Sequence, residues 1–103
     1  MARAAPDGYT LMLGDSSLLI AQHLQPRMSF DPIKSFTPVA GVFTLPLVIV
    51  VNNDVPAKTP AEFVKLLRDQ PGRFSYATSG VGTVHHLGFE MLKAKARSFV
   101  VHI

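Results

Sequence analysis

The residues best suited to chemistry run Thr78-Ser79-Gly80-Val81-Gly82-Thr83. The two glycines, one residue apart, let backbone N–H groups approach a ligand closely, and Ser79 and Thr83 add hydroxyls. A β-prone stretch precedes the loop and a helical pattern follows it. The loop therefore falls at the carboxyl end of a strand and at the N-terminus of a helix. Unpaired N–H donors and a partial positive charge there suit an anion, either a carboxylate or a phosphate. His85, in the first helical turn, can donate to the same anion. A tight βα turn with helix capping and no ligand uses the same residue types, so the loop alone leaves both readings open.

Sharper readings of this loop fail on spacing. A Walker phosphate loop needs a Gly-Lys-Ser/Thr ending, and the loop has no lysine. The dinucleotide fingerprint needs a third glycine where His85 stands. A hydrolase elbow needs glycine two residues either side of the serine, where Ala77 and Val81 stand. Binding is thus the better reading, and no catalytic residue or enzymatic activity is expected. His86 and Glu90 share a helix face at i, i+4 and could hold part of a metal, but a third ligand is required. His102 is the only nearby candidate in sequence, with no local reason to converge. No metal and no cofactor are expected. Asp15-Ser16-Ser17 follows another strand end. Ser16 is a second candidate ligand residue there, against plain helix capping. Gln22 and His23 read as a solvated face, and Tyr9, Tyr76 and the phenylalanines as strand-core residues.

The elements that must position these groups alternate. Pro6-Asp7-Gly8 is a turn, Tyr9 to Leu13 a short strand, and Leu18 to Leu24 a helix stopped before Pro26. Val39 to Phe43 and Leu47 to Val51 read as strands, the second apolar on consecutive positions as if covered on both faces. Thr59-Pro60-Ala61-Glu62 is a capping box with proline at the first helical position, and Phe63, Val64, Leu66 and Leu67 form that helix's apolar face. Phe74 to Thr78 reads as a strand. A helix with Val84, Leu87, Met91 and Leu92 on one face follows the loop, with Lys93, Lys95 and Arg97 near its C-terminus, and Phe99 to Ile103 is the next strand. Strand, loop, helix and strand make a βαβ unit, and the fold class is α/β.

The 103 residues are 48% apolar and contain no cysteine. That composition argues against disorder and excludes a disulfide framework and any cysteine-held metal. The longest apolar run, Leu47 to Val51, is far short of the roughly 20 residues a membrane helix needs. The net charge of +3 is spread along the chain with no basic run, so nucleic-acid binding is not expected. No apolar stretch of an export signal follows Arg3, and Phe99 to Ile103 stops as a bare strand. Both ends predict a piece of a longer protein.

Several segments together resemble the Bug-type extracytoplasmic solute receptors, the substrate-binding proteins of tripartite tricarboxylate transporters. They are Ala4-Ala5-Pro6-Asp7-Gly8-Tyr9-Thr10-Leu11-Met12-Leu13-Gly14, Phe36-Thr37-Pro38-Val39-Ala40, Val55-Pro56-Ala57-Lys58-Thr59, Pro71-Gly72-Arg73-Phe74-Ser75-Tyr76-Ala77-Thr78, and Ser79 to Thr83 with His86-Leu87. Val101-His102-Ile103 is similar to the start of the family's His-Val-Pro-Tyr-Lys-Gly segment. The resemblance implies a fragment of a two-lobed periplasmic-binding-protein (type 2) fold. Residues 1–51 would belong to the first lobe with crossover strands, and 52–103 to the second lobe with the βαβ loop. It further implies a periplasmic receptor for a small carboxylate, with membrane transporter subunits as partners, and a Ser79–Thr83 loop that clasps a ligand carboxylate. Ala96-Arg97-Ser98 departs from the Ala-Gly turn of the family, and arginine at a left-handed position carries strain. A phosphate- or nucleotide-handling α/β enzyme and a non-functional truncated fragment are the alternatives. With the first ligand loop and later elements missing, the chain is expected to self-associate.

Overall fold

A computed structural model describes residues 1–25 and 27–103. Three helices and one pair of strands lie among them: α1 (Ser17–Leu24), α2 (Pro60–Asp69), β1 (Ser75–Tyr76), α3 (Val84–Ala96) and β2 (Val101–His102). The strands pair in parallel, Ser75 with Val101 and Tyr76 with His102, and α3 is the crossover between them. The expected βαβ unit is therefore present, with shorter strands than the sequence suggested. The helix expected over Leu18 to Leu24 is present as α1, which ends at Leu24; Pro26 itself lies outside the described residues.

Helix α2 begins as its residues require. The Thr59 hydroxyl accepts from the Glu62 amide at 3.2 Å, and the Glu62 carboxylate accepts from the Thr59 amide at 3.2 Å. Pro60 takes the first helical position, where its missing N–H leaves nothing unpaired. The face formed by Phe63, Val64, Leu66 and Leu67 is buried or half-buried, as its periodicity predicts. Leu67 and Val100 are almost wholly buried and meet Tyr76, with Phe63, Phe74 and Phe89 packed around them. This small core joins α2, β1, α3 and the approach to β2. The Arg68 guanidinium adds a tie by donating to the Ala96 carbonyl at the end of α3.

Helix α3 ends where Arg97 turns left-handed, with φ 51°. Its amide and that of Ser98 reach back to Ala94 and Lys93, closing the last turn. The turn that the sequence placed at Ala96-Arg97-Ser98 is thus made with an arginine in the conformation glycine adopts most easily.

Three expectations are corrected. Tyr9 to Leu13, Val39 to Phe43 and Leu47 to Val51 form no strand among the described residues. A strand exists only with a hydrogen-bonded neighbour, and these stretches find none here. Leu47 to Val51, expected to be covered on both faces, is open: Val48 is 78% and Val50 85% exposed. On α3, Leu87 and Met91 are exposed, and Phe89 and Ala96 pack inward instead. Val84 and Leu92 of the expected face are half-buried, so the periodic pattern placed only part of that face correctly.

Candidate functional site

The loop between β1 and α3 is shaped by its own short side chains. Gly80 and Gly82 take φ values of +139° and +85°, which L side chains rarely adopt. A Cβ on Gly82 would also stand 2.8 Å from Leu24 Cδ1 of α1, a side-chain end that can shift, so the positive φ is what favours glycine there. The Thr78 hydroxyl accepts from the Gly80 amide at 3.2 Å. Thr83 caps α3: its hydroxyl accepts from the His86 amide at 3.3 Å and donates to the Gly80 carbonyl at 2.8 Å.

Further groups close in from the helices. The Ser17 hydroxyl accepts from the Val84 amide at 3.4 Å, bringing the start of α1 to the start of α3. The sequence singled out Ser16. It occupies the N-cap position of α1, is exposed, and makes no side-chain capping bond, whereas Asp15 accepts from the Ser17 amide at 2.9 Å. Ser17 is the serine that reaches the loop. Its signal was weak, because adjacent serines at a helix start are indistinguishable without knowing how the helix lies. His85 is exposed, with Nδ1 3.1 Å from the Ser79 hydroxyl.

Thr78, Ser79, Gly80, Val81, Gly82, Thr83 and His85 are thus gathered at one end of the β pair. Among the described residues, the amides of Ser79, Val81 and His85 have no protein partner. Unpartnered donors near a helix start can take a carboxylate or phosphate oxygen. The concave spaces elsewhere, lined by Met12, Gly14 and Leu18 in one case and by Val51, Asn53 and Lys58 in another, do not include this loop.

His102, which nothing in the sequence brought to the loop, lies against it. Its Nε2 is 2.9 Å from the Thr78 hydroxyl, and its ring meets that of His86 edge-on, 4.7 Å between centroids. Parallel pairing of Tyr76 with His102 puts this residue at the carboxyl end of β2, beside the end of β1. Among the described residues, no group of three side chains is arranged to hold a metal ion.

Below the loop, Glu90 accepts from Lys93 at 2.6 Å and from the Tyr76 hydroxyl. The lysine and then the tyrosine hold its carboxyl below the ordinary range. Burial, and then the Glu90 contact, push the Tyr76 hydroxyl up to about 12. Because the folded state holds this proton more tightly, the contribution is complete below pH 10.0 and lost as pH rises toward about 12. We expect stability to fall there by about 2–3 kcal/mol, and Tyr76→Phe to abolish that share of the loss. Urea unfolding at a series of alkaline pH values measures it.

A model of the tripartite tricarboxylate transporter family receptor matches residues 1–103. The chain is 35% identical over 104 residues to a UPF0065 protein of Bordetella pertussis, covering all of this chain and 32% of that one. It is 32% identical over 103 residues to a UPF0065 protein from the tcbD-tcbE intergenic region of a Pseudomonas species, covering all of this chain and 31% of that one. It is 29% identical over 96 residues to protein BugT of Bordetella pertussis, covering 91% of this chain and 29% of that one. The chain therefore spans about a third of the length of these curated relatives. No solved structure matches it.

Proposed function

Because this chain belongs to the tripartite tricarboxylate transporter receptor family, we propose that it carries part of a solute-capture site for a small carboxylate, with the 78–83 loop as one jaw. The observation that carries the reading is the set of unpartnered amides of the exposed residues Ser79, Val81 and His85, in the loop and at the start of α3. A carboxylate placed there meets backbone donors and the positive end of the helix without displacing an existing bond. The family is one of transport receptors, and the role we assign to the loop is binding without chemistry.

In this reading residues 1–51 belong to one lobe and 52–103 to the other of a two-lobed receptor. The ligand is a dicarboxylate, tricarboxylate or amino acid. The receptor works in the periplasm and delivers its ligand to membrane subunits of the transporter. No helix among the described residues is long and apolar enough to cross a membrane itself. The two unpaired stretches 39–43 and 47–51 serve as crossover strands when the rest of such a receptor supplies their neighbours.

Ser79→Ala is the direct test of the loop's role. The hydroxyl contributes one hydrogen bond to the ligand, so succinate or glutamate should bind more weakly by about 0.5–3 kcal/mol. Calorimetry on wild type and variant reads this, with phosphate as the comparison anion. An unchanged carboxylate affinity would remove Ser79 from the site, and preference for phosphate would overturn the carboxylate assignment.

A further inference from the structure

The loop is held at two points by imidazoles that touch one another. The Gly82 amide lies 3.5 Å from His86 Nδ1. An amide can only donate, so Nδ1 of the neutral ring must be the bare, accepting nitrogen. The ring proton then sits on Nε2, which faces Glu90 Oε1 at 4.0 Å. At the other end of the loop, His102 Nε2 is 2.9 Å from the Thr78 hydroxyl, which also bonds the Gly80 amide.

We propose that His86 is a proton-operated latch on the 78–83 loop, closed on Gly82 when the ring is neutral and released when it is protonated. Adding a proton to Nδ1 turns the acceptor into a donor that faces another donor, so the contact becomes repulsive. The charged and titratable groups around the ring set the direction in which it moves. On α3, Glu90 attracts the imidazolium, and Lys93, on the far side of the same carboxylate oxygen, opposes it. On β1, the Tyr76 ring stacks at 6.4 Å and stays neutral through the imidazole range. On β2, His102 meets the ring edge-on at 4.7 Å, and two imidazolium ions cannot share that contact without repulsion. His85, next along α3, is exposed and engaged with Ser79. Protonation therefore draws His86 toward Glu90 and away from both Gly82 and His102. The His102–Thr78 bond at the loop's other end loses its packing partner in the same step.

This proposal does not rest on the carboxylate reading, and its test needs no ligand. Nitrogen-15 NMR would follow the His86 ring and the Gly80, Gly82 and Thr83 amides from about pH 8 to about pH 5, below the onset of association. The Gly82 resonance should move with the His86 ring. Protection of the Gly80 and Gly82 amides, corrected for intrinsic exchange, should fall about tenfold on the acid side. His86→Gln keeps an oxygen that accepts from Gly82 but cannot titrate, so its loop should stay closed and lose the response, while His85→Gln should retain it. A wild-type loop that is flat across this range overturns the proposal, as does a response that survives in His86→Gln.

Discussion

As its concentration is raised, this 103-residue chain is expected to associate with itself, its apparent mass at least about doubling. The driving surface is the stretch from Val39 to Val51. Val39, Val42, Phe43, Leu45, Leu47, Val48, Ile49 and Val50 are all half or more exposed. The backbone along it forms no turn, helix or ladder bond among the described residues, and unpaired N–H and C=O groups are a template for strand addition by a second copy. Its cost shows in the dimensions: the radius of gyration is 18.0 Å, against about 13 Å for a compact chain of this length. Light scattering over a concentration series reads the outcome. Val48→Lys with Val50→Lys places two charges in the most exposed part of the stretch and should shift association to higher concentration. A wild-type chain that stays monomeric throughout would contradict this.

The second large effect concerns the core. Leu67 is 1% exposed and touches the cluster that joins α2 to the β pair. Leu67→Ala leaves a cavity there, and the expected loss is about 2–5 kcal/mol. A small chain has a total stability of only about 5 kcal/mol, so a large share of that stability should be lost. Leu19 on α1 is 48% exposed, and Leu19→Ala should change stability by no more than about 0.5 kcal/mol. Urea unfolding of both variants is the measurement. A Leu67→Ala protein as stable as wild type would show that α2 is not anchored through this residue.

Local chemistry was legible where a residue's partners lie within a few positions. Thr59, Pro60 and Glu62 announce the start of α2, and the structure closes that capping box bond for bond. Thr83 likewise caps α3 from within the loop it ends. The left-handed turn at Arg97 was legible only through the resemblance, whose Ala-Gly turn falls at Ala96-Arg97-Ser98. Wherever the partner is distant in sequence, the reading ran out. Leu47 to Val51 has the composition of a covered strand, but composition does not supply the neighbour that would cover it. Leu87 and Met91 kept helical spacing while the β pair covered the Phe89 side. Ser17 and His102 reach the loop only because α1 crosses the start of α3 and because β2 pairs with β1 in that register. Neither placement leaves a local mark on the sequence.

The tie between Glu90, Lys93 and Tyr76 belongs with those distant partners. Tyr76 on β1 and Glu90 on α3 are joined through the crossover, with Phe89 stacked on the tyrosine ring at 3.9 Å. The Tyr76 ring also stacks on His86 and meets His102 edge-on, so this packing reaches the two imidazoles that touch the loop.

The central claim is that the start of α3 receives a carboxylate. The most direct test is a succinate titration of the nitrogen-15-labelled chain, followed amide by amide at neutral pH. With one jaw of a clasp, affinity should be weak, in the millimolar range or below what a closed pocket gives. The shifts should nevertheless concentrate on Ser79, Val81 and His85, with smaller changes at Gly80, Gly82 and Ser17, and should leave α2 unmoved. Shifts centred elsewhere on the chain, or loop amides that stay fixed at saturating succinate, would contradict it.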